Sequence, residues 1–147
     1  MDKNLVLVSG AVVFKDTRKK RRWFLIKGDE EDKWEIPKVY VRKVESSVRA
    51  AIRMMGEQGG MTIQVLEEAG RAGGVTTVND KTLPQRHIYY LAMYISSVPE
   101  AIGFESSKWF GYAESQRKLS TKREKIMLRQ ARAELKKWQK EQVKKEE

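Results

Sequence analysis

The chain carries 147 residues, with 30 Lys and Arg against 20 Asp and Glu, one His and no Cys, for a net charge of +10. That length suits a single domain with one hydrophobic core, expected to span residues 1–147. Without cysteine there are no disulfides, thiolate nucleophiles or cysteine zinc sites, and a lone histidine excludes any centre built on two imidazoles.

The longest apolar runs are too short for a bilayer, and "MDKNLVLVSG" lacks the basic stretch and small-residue cleavage site of a secretory signal. No membrane association and a cytoplasmic location are therefore expected. Positive charge concentrates in "RKKRR" (residues 18–22) and from Ser115 onward, where twelve Lys/Arg meet five Asp/Glu, a local +7. Such clusters either solvate a surface or meet a polyanion such as RNA, to whose phosphates Lys and Arg bind through counterion release. Trp23, Trp109 and Trp138 lie near the basic runs, placed either to pack in the core or to stack on bases.

In chain order, "LVLVSGAVVF" predicts a buried strand from its apolar, β-branched run. The polar "DTRKKRR" predicts a turn and "WFLIKG" a return strand, together a hairpin. "GDEEDK" reads as a charged loop and "WEIPK" as a short extended piece, since Pro37 disfavours helix at Ile36. "SSVRAAIRMMGEQ" predicts a helix capped by Ser46 or Ser47, with Val48, Ala51, Ile52 and Met55 on its apolar face. "GGM" stops it. "TIQVLEEAG" and "GGVTTVND" read as two strands separated by a glycine-rich turn, and "RHIYYLAMYI" as a strong strand rich in aromatic and β-branched residues. "SSVPEAIGFESS" predicts a loop and "KWFGY" a last short strand. A basic C-terminal helix is expected over 121–147, where Ile126 or Met127, Leu128, Ala131, Leu135, Trp138 and Gln142 or Val143 repeat at helical spacing. No internal repeat or low-complexity linker interrupts this α+β order.

Between Val39 and Met61 the chain places Glu45 eight residues before Arg53, followed by Met55, Glu57, Gly60 and Met61. That spacing resembles the Nudix box, G-x5-E-x7-R-E-U-x-E-E-x-G-U, where U is a bulky apolar residue. Laid on without a gap, the pattern matches at those six positions. It departs at Val39 for the first glycine, Met54 for the first helical glutamate and Gln58 for the last. The flanks agree: "SGAVVF" resembles the family's opening strand, and "WEIPK" the stretch just before the box. "TIQVLEEAG", "HIYYLAMY" and "KWF" resemble the strands downstream. The chain is thus similar to the Nudix hydrolase superfamily, in the manner of the diadenosine-tetraphosphate hydrolase branch, over nearly its whole length. "L66-E67-E68-A69-G70" also reads E-E-x-G. Using it would need about ten inserted residues and would place isoleucine and glutamine where the motif has Arg-Glu, so the ungapped register is preferred.

The resemblance implies a Nudix fold, a mixed β-sheet with the box helix and the long C-terminal helix packed around it. It also implies cleavage of a diphosphate bond by water and divalent cations, Mg²⁺ or Mn²⁺, which neutralise the phosphoryl charge. Positions 54, 57 and 58 are neighbours on a helix surface, and in the family all three are carboxylates for hard cations. Here they are a thioether, a carboxylate and an amide. Methionine is a poor Mg²⁺ ligand, so any metal would rest weakly on Glu57 and Gln58. Glu57 and Glu45 are the residual catalytic candidates, with Glu45 and Arg53 expected to pair as a scaffold. Lys38, Arg53 and Tyr89 are the substrate-binding candidates. Lys38 either faces phosphate or is solvated; His87 suits a partly buried strand position, and Tyr89, Tyr90 and Tyr94 suit stacking or core. The leading expectation is a protein that binds a nucleoside polyphosphate or RNA phosphates with weak or no hydrolysis. One rival is an active hydrolase with ligands drawn from Glu30, Glu31, Glu35, Glu67, Glu68 or Glu105; another is a protein-interaction module using the C-terminal helix.

Overall fold

The computed structural model describes residues 5–28, 33–99 and 103–146. Its elements in chain order are β1 (Val6–Thr17), β2 (Lys20–Lys27), β3 (Trp34–Glu35), β4 (Lys38–Tyr40), α1 (Ser47–Gly59), β5 (Met61–Val78), β6 (Lys81–Ser97), β7 (Ser106–Phe110), α2 (Tyr112–Lys118) and α3 (Lys122–Glu146). The strands form one sheet in the order β3-β2-β1-β6-β5, with β4 paired to β1 and β7 to β2. Strands β1 and β6 run parallel and the remaining pairs antiparallel, so the sheet is mixed. With its helices this is an α+β architecture.

Side chains alternate across each strand, and the sheet is buried on both faces. Val12, Phe14, Trp23, Leu25, Tyr89 and Leu91 pack with Met127, Leu128, Ala131 and Leu135 of α3. On the other face Ala11, Val13, Phe24, Ile88, Tyr90 and Ala92 pack with Ala51, Met54 and Met55 of α1. Two apolar sets thus interleave along β1, which is why "SGAVVF" reads as continuous rather than alternating. No helix among the described residues is long and apolar enough to cross a membrane.

Helix α1 begins where the capping signal lies. Ser46 Oγ accepts from the Arg49 N–H at 3.1 Å, and Gly60 ends the helix with φ of 59°. Its buried face is Ala50, Ala51, Met54 and Met55, while Ile52 is 41% exposed. The apolar stripe is therefore rotated from the expected one, and Met54, expected on the open surface beside Glu57, lies inside. The expected glycine-rich turn after "EEAG" is absent too: β5 runs unbroken through Gly70, Gly73 and Gly74 and turns only at Asn79–Asp80, both with positive φ. Gly70 serves close approach instead. A Cβ there would collide with Gln130 and Met127 of α3. The expected β1–β2 turn shrinks because Thr17 pairs with Lys20 and Arg22 with Lys15. Helix α2 follows β7 at once, where the sequence suggested only a strand end.

Candidate functional site

The loop before α1 is pinned by one carboxylate. Arg53 Nε donates to Glu45 Oε2 at 2.7 Å and its Nη2 to Oε1 at 3.1 Å, a fork-to-fork pair. The same Nη2 reaches the Tyr40 carbonyl at 3.2 Å, and the Arg42 N–H donates to Glu45 Oε1 at 3.0 Å. These bonds, Arg53's first, hold the Glu45 carboxyl well below its usual range, at about 2, and raise the already high pKa of Arg53. Both side chains are turned to each other and to β4, so the geometry uses Arg53 in holding the loop. The turn itself is closed by the Glu45 N–H on the Arg42 carbonyl at 3.1 Å, and Val44 within it has φ of 59°. A β-branched residue is strained there.

The three positions of α1 that the resemblance assigns to metal ligands have different surroundings. Met54 is fully buried in the core. The Glu57 side chain is exposed, its Oε2 at 3.7 Å from Arg53 Nη1 and 3.9 Å from Arg42 Nη2. Gln58 is half-buried beneath Gly103, whose N–H donates to the Gln58 carbonyl at 3.1 Å. Among the described residues no group of three or more His, Cys, Asp or Glu is placed to hold a metal ion. The other acids are scattered: Glu68 pairs with Arg71 at 2.9 Å, and Glu35 stands 3.9 Å from Lys38. Glu30 and Glu31 lie outside the described residues.

A cavity of about 410 Å³ opens on the opposite face, between β3–β4, β6 and the start of α3. Its floor is Glu124, only 4% exposed. One carboxylate oxygen accepts from the Ile36 N–H at 2.8 Å; the other accepts from Lys38 Nζ and the Tyr89 hydroxyl, each at 2.8 Å. Lys38 also donates to the Ile36 carbonyl at 2.8 Å. Lys38 and Tyr89, two of the substrate-binding candidates, line the same cavity, but both are already held by Glu124, and Tyr89 is 1% exposed with no free face for a base. Burial, then the adjacent carboxylate, pushes the Tyr89 phenol far up. Nothing in the sequence marked Glu124, which reads as one more helix charge. His87 lines the same cavity, its Nε2 2.9 Å from Gln85 Oε1 and its Nδ1 3.4 Å from Arg123 Nη1. Burial, with repulsion from Arg123 and Lys38, lowers its pKa.

The expected stripe on α3 is spent internally: Leu128, Ala131 and Leu135 are in the core and Trp138 packs against it. Tyr90 is buried with its hydroxyl on Ser47 Oγ, and Tyr94 is half-buried on the α1 side.

No family model and no curated protein matches the sequence. Solved structures do match. An Ap4A hydrolase from C. elegans in a binary complex aligns at 22% identity over 88% of this chain and 97% of its own, with a TM-score of 0.66. The Nudix domain of Shewanella oneidensis NrtR, complexed with ADP ribose, aligns at 16% identity over 91% and 90%, with a TM-score of 0.67. The E. coli dihydroneopterin triphosphate pyrophosphohydrolase aligns at 11% identity over 84% and 92%, with a TM-score of 0.64. The chain has the fold of the Nudix hydrolase superfamily.

Proposed function

We propose that this Nudix-fold protein binds a nucleoside polyphosphate or the phosphates of RNA, and hydrolyses them weakly or not at all because its metal site is degenerate. The observation that carries this reading is the state of α1. Met54 is fully buried, Gln58 is neutral beneath Gly103, and Glu57 lies between two arginines. Dications on a diphosphate need several hard, anionic oxygens in fixed positions. One carboxylate already facing guanidinium groups does not supply them, so the residues present do not fit a resident Mg²⁺ or Mn²⁺. The ligand class is supported by the neighbours, whose names refer to Ap4A, ADP ribose and dihydroneopterin triphosphate. The cavity sets Lys38 and Arg123 against Glu35 and Glu124, so its affinity for polyphosphate is expected to be modest.

The test is calorimetry plus product analysis with dinucleoside polyphosphates, nucleoside triphosphates and ADP ribose, each with and without Mg²⁺ or Mn²⁺. Binding that persists in chelator, with turnover at background, is the expected result. Robust metal-dependent turnover that Glu57→Ala abolishes would restore the active-hydrolase reading. Position 54 faces the core, so the readable change is Gln58→Glu, which adds a second carboxylate next to Glu57 and should raise Mg²⁺ affinity. Stronger Mg²⁺ binding by the parent than by this variant, with both folded by circular dichroism, overturns the box register.

A further inference from the structure

On the α1 face of the sheet, past the end of the core, four adjacent strands present a surface of mixed character. Alternation puts Tyr94 of β6, Lys15 of β1, Arg22 of β2 and Trp109 of β7 on this face. The Trp109 and Tyr94 rings meet edge-on at 5.6 Å and 89°, and both are half-buried. Phe24 supports Trp109 from the core at 5.1 Å. Lys15 Nζ stands 4.4 Å from the Trp109 centroid and 5.0 Å from that of Tyr94. Just beyond, the exposed β1–β2 turn carries Arg18 and Lys19, with exposed Lys20 opening β2.

The charge is one-sided. Residues 15–22 hold six Lys/Arg and a single acid, Asp16. Alternation places Asp16 on the other face of the sheet, where Arg21 binds its two oxygens at 2.8 and 3.2 Å. Among the described residues no ion pair engages Arg18, Lys19, Lys20 or Arg22. Cations this dense, without counter-charge, suit a polyanion. Aromatic rings at their edge narrow the choice, since a base must be unpaired to stack on a side chain.

We propose that this surface docks single-stranded nucleic acid, with phosphates on the turn cations and an unpaired base against Trp109 and Tyr94. It rests on the polyanion half of the reading above but uses none of the cavity residues. The Lys15 stem is long enough for its ammonium to swing from the rings to a phosphate, which frees a ring face for the base.

Anisotropy of labelled oligouridylate and oligothymidylate tests this on the full chain and tells RNA from DNA. Trp109→Ala should weaken binding about 5- to 150-fold. Trp109→Phe keeps a ring on Phe24 and should weaken it less, so the test stays readable where the alanine variant folds poorly. Alanine at Arg18, Lys19 and Lys20, all exposed in the turn and at the start of β2, should flatten the log–log salt slope by about 0.7 for each phosphate no longer neutralised. Nucleoside triphosphate should not displace the oligonucleotide, and the cavity reading can fail without touching this result. Single-strand binding that both sets leave unchanged overturns the proposal. So does equal or tighter duplex binding, weakening only with Lys136→Glu, Lys137→Glu and Lys140→Glu on α3, or capture by phosphatidylserine vesicles but not by oligonucleotides.

Discussion

Replacing Glu124 by glutamine tests whether the cavity floor is a structural tie. The carboxylate takes three hydrogen bonds at 2.8 Å, from the Ile36 N–H, Lys38 Nζ and the Tyr89 hydroxyl. Glutamine keeps one acceptor oxygen and sets an NH₂ where the other stood, donor against donor. Removing one partner of a fully buried ion pair costs about 3–5 kcal/mol. Lys38 is 22% exposed on its side chain and finds water when released, which places the expected loss lower, at about 2–4 kcal/mol. For a chain near 150 residues that lowers Tm by roughly 5–15 °C. Differential scanning calorimetry and urea melts read it directly. A double-mutant cycle with Lys38→Met isolates the pair, whose combined loss should be smaller than the sum of the two. The same glutamine variant leaves the Lys38 ammonium with only the more distant Glu35, at 3.9 Å, as counter-charge and should bind pyrophosphate several-fold more tightly. A Tm within about 2 °C of the parent (about half a kcal/mol), or strict additivity with Lys38→Met, would refute the tie.

Other perturbations address the loop and the titrating groups. Arg53→Ala should lower Tm and loosen the box loop in hydrogen exchange; lost turnover at unchanged Tm would count against the scaffold role. Glu45 has a folded pKa of about 2 against 4.5, so its stabilisation is complete above 4.5 and is lost as pH falls towards 2, a loss that Glu45→Gln should remove from a pH–Tm profile. His87 has a folded pKa below 6.5, so the unfolded chain takes its proton first and stability should fall as pH drops below 6.5; His87→Gln should flatten that limb. Val44→Gly relieves a left-handed β-branched residue that is fully exposed. Strain of about 1–2 kcal/mol exceeds the roughly 0.5–1 kcal/mol of added chain entropy, so Tm should rise, and a fall would show that the turn is not strained.

The parts of the fold legible in the sequence are those set by neighbours along the chain. Ser46 and Gly60 mark the ends of α1 because caps are local, and the eight-residue step from Glu45 to Arg53 foretells a contact that bridges one loop and two helical turns. Phase within the helix was less legible. "RAAIRMMGE" offers Ile52 and Met54 as rival core residues, and only the tilt of α1 on the sheet buries Met54 and exposes Ile52. The glycines of β5 misled for a related reason: Gly70 answers to Gln130 and Met127, some sixty residues away, and not to a turn. Helix α2 has seven residues and one buried position, Ser115, too few to show a period. Glu124 was the least legible of all. Its partners Ile36, between β3 and β4, Lys38 of β4 and Tyr89 of β6 lie far from it in sequence, so a buried carboxylate looks on paper like a solvated one.

Electrostatics joins these observations. A helix that presents three carboxylates holds dications, and the dications in turn hold phosphate; the protein's own charge at such a site is negative. Here α1 carries Arg49 and Arg53 against Glu57, and the whole chain stands at +10. That field repels a free dication and attracts a polyanion. Burying a methionine at position 54 also adds apolar contact on the sheet, about 1.5–3 kcal/mol for a fully buried side chain, where a carboxylate would need a cation or a proton to stay. At position 54 of α1, burial of an apolar side chain and the absence of a negative charge therefore go together. On the proposed reading, phosphate without metal falls to Lys and Arg directly, and Arg18, Lys19, Lys20 and Arg22, which no ion pair engages among the described residues, stand at the β1–β2 end of the sheet rather than on α1.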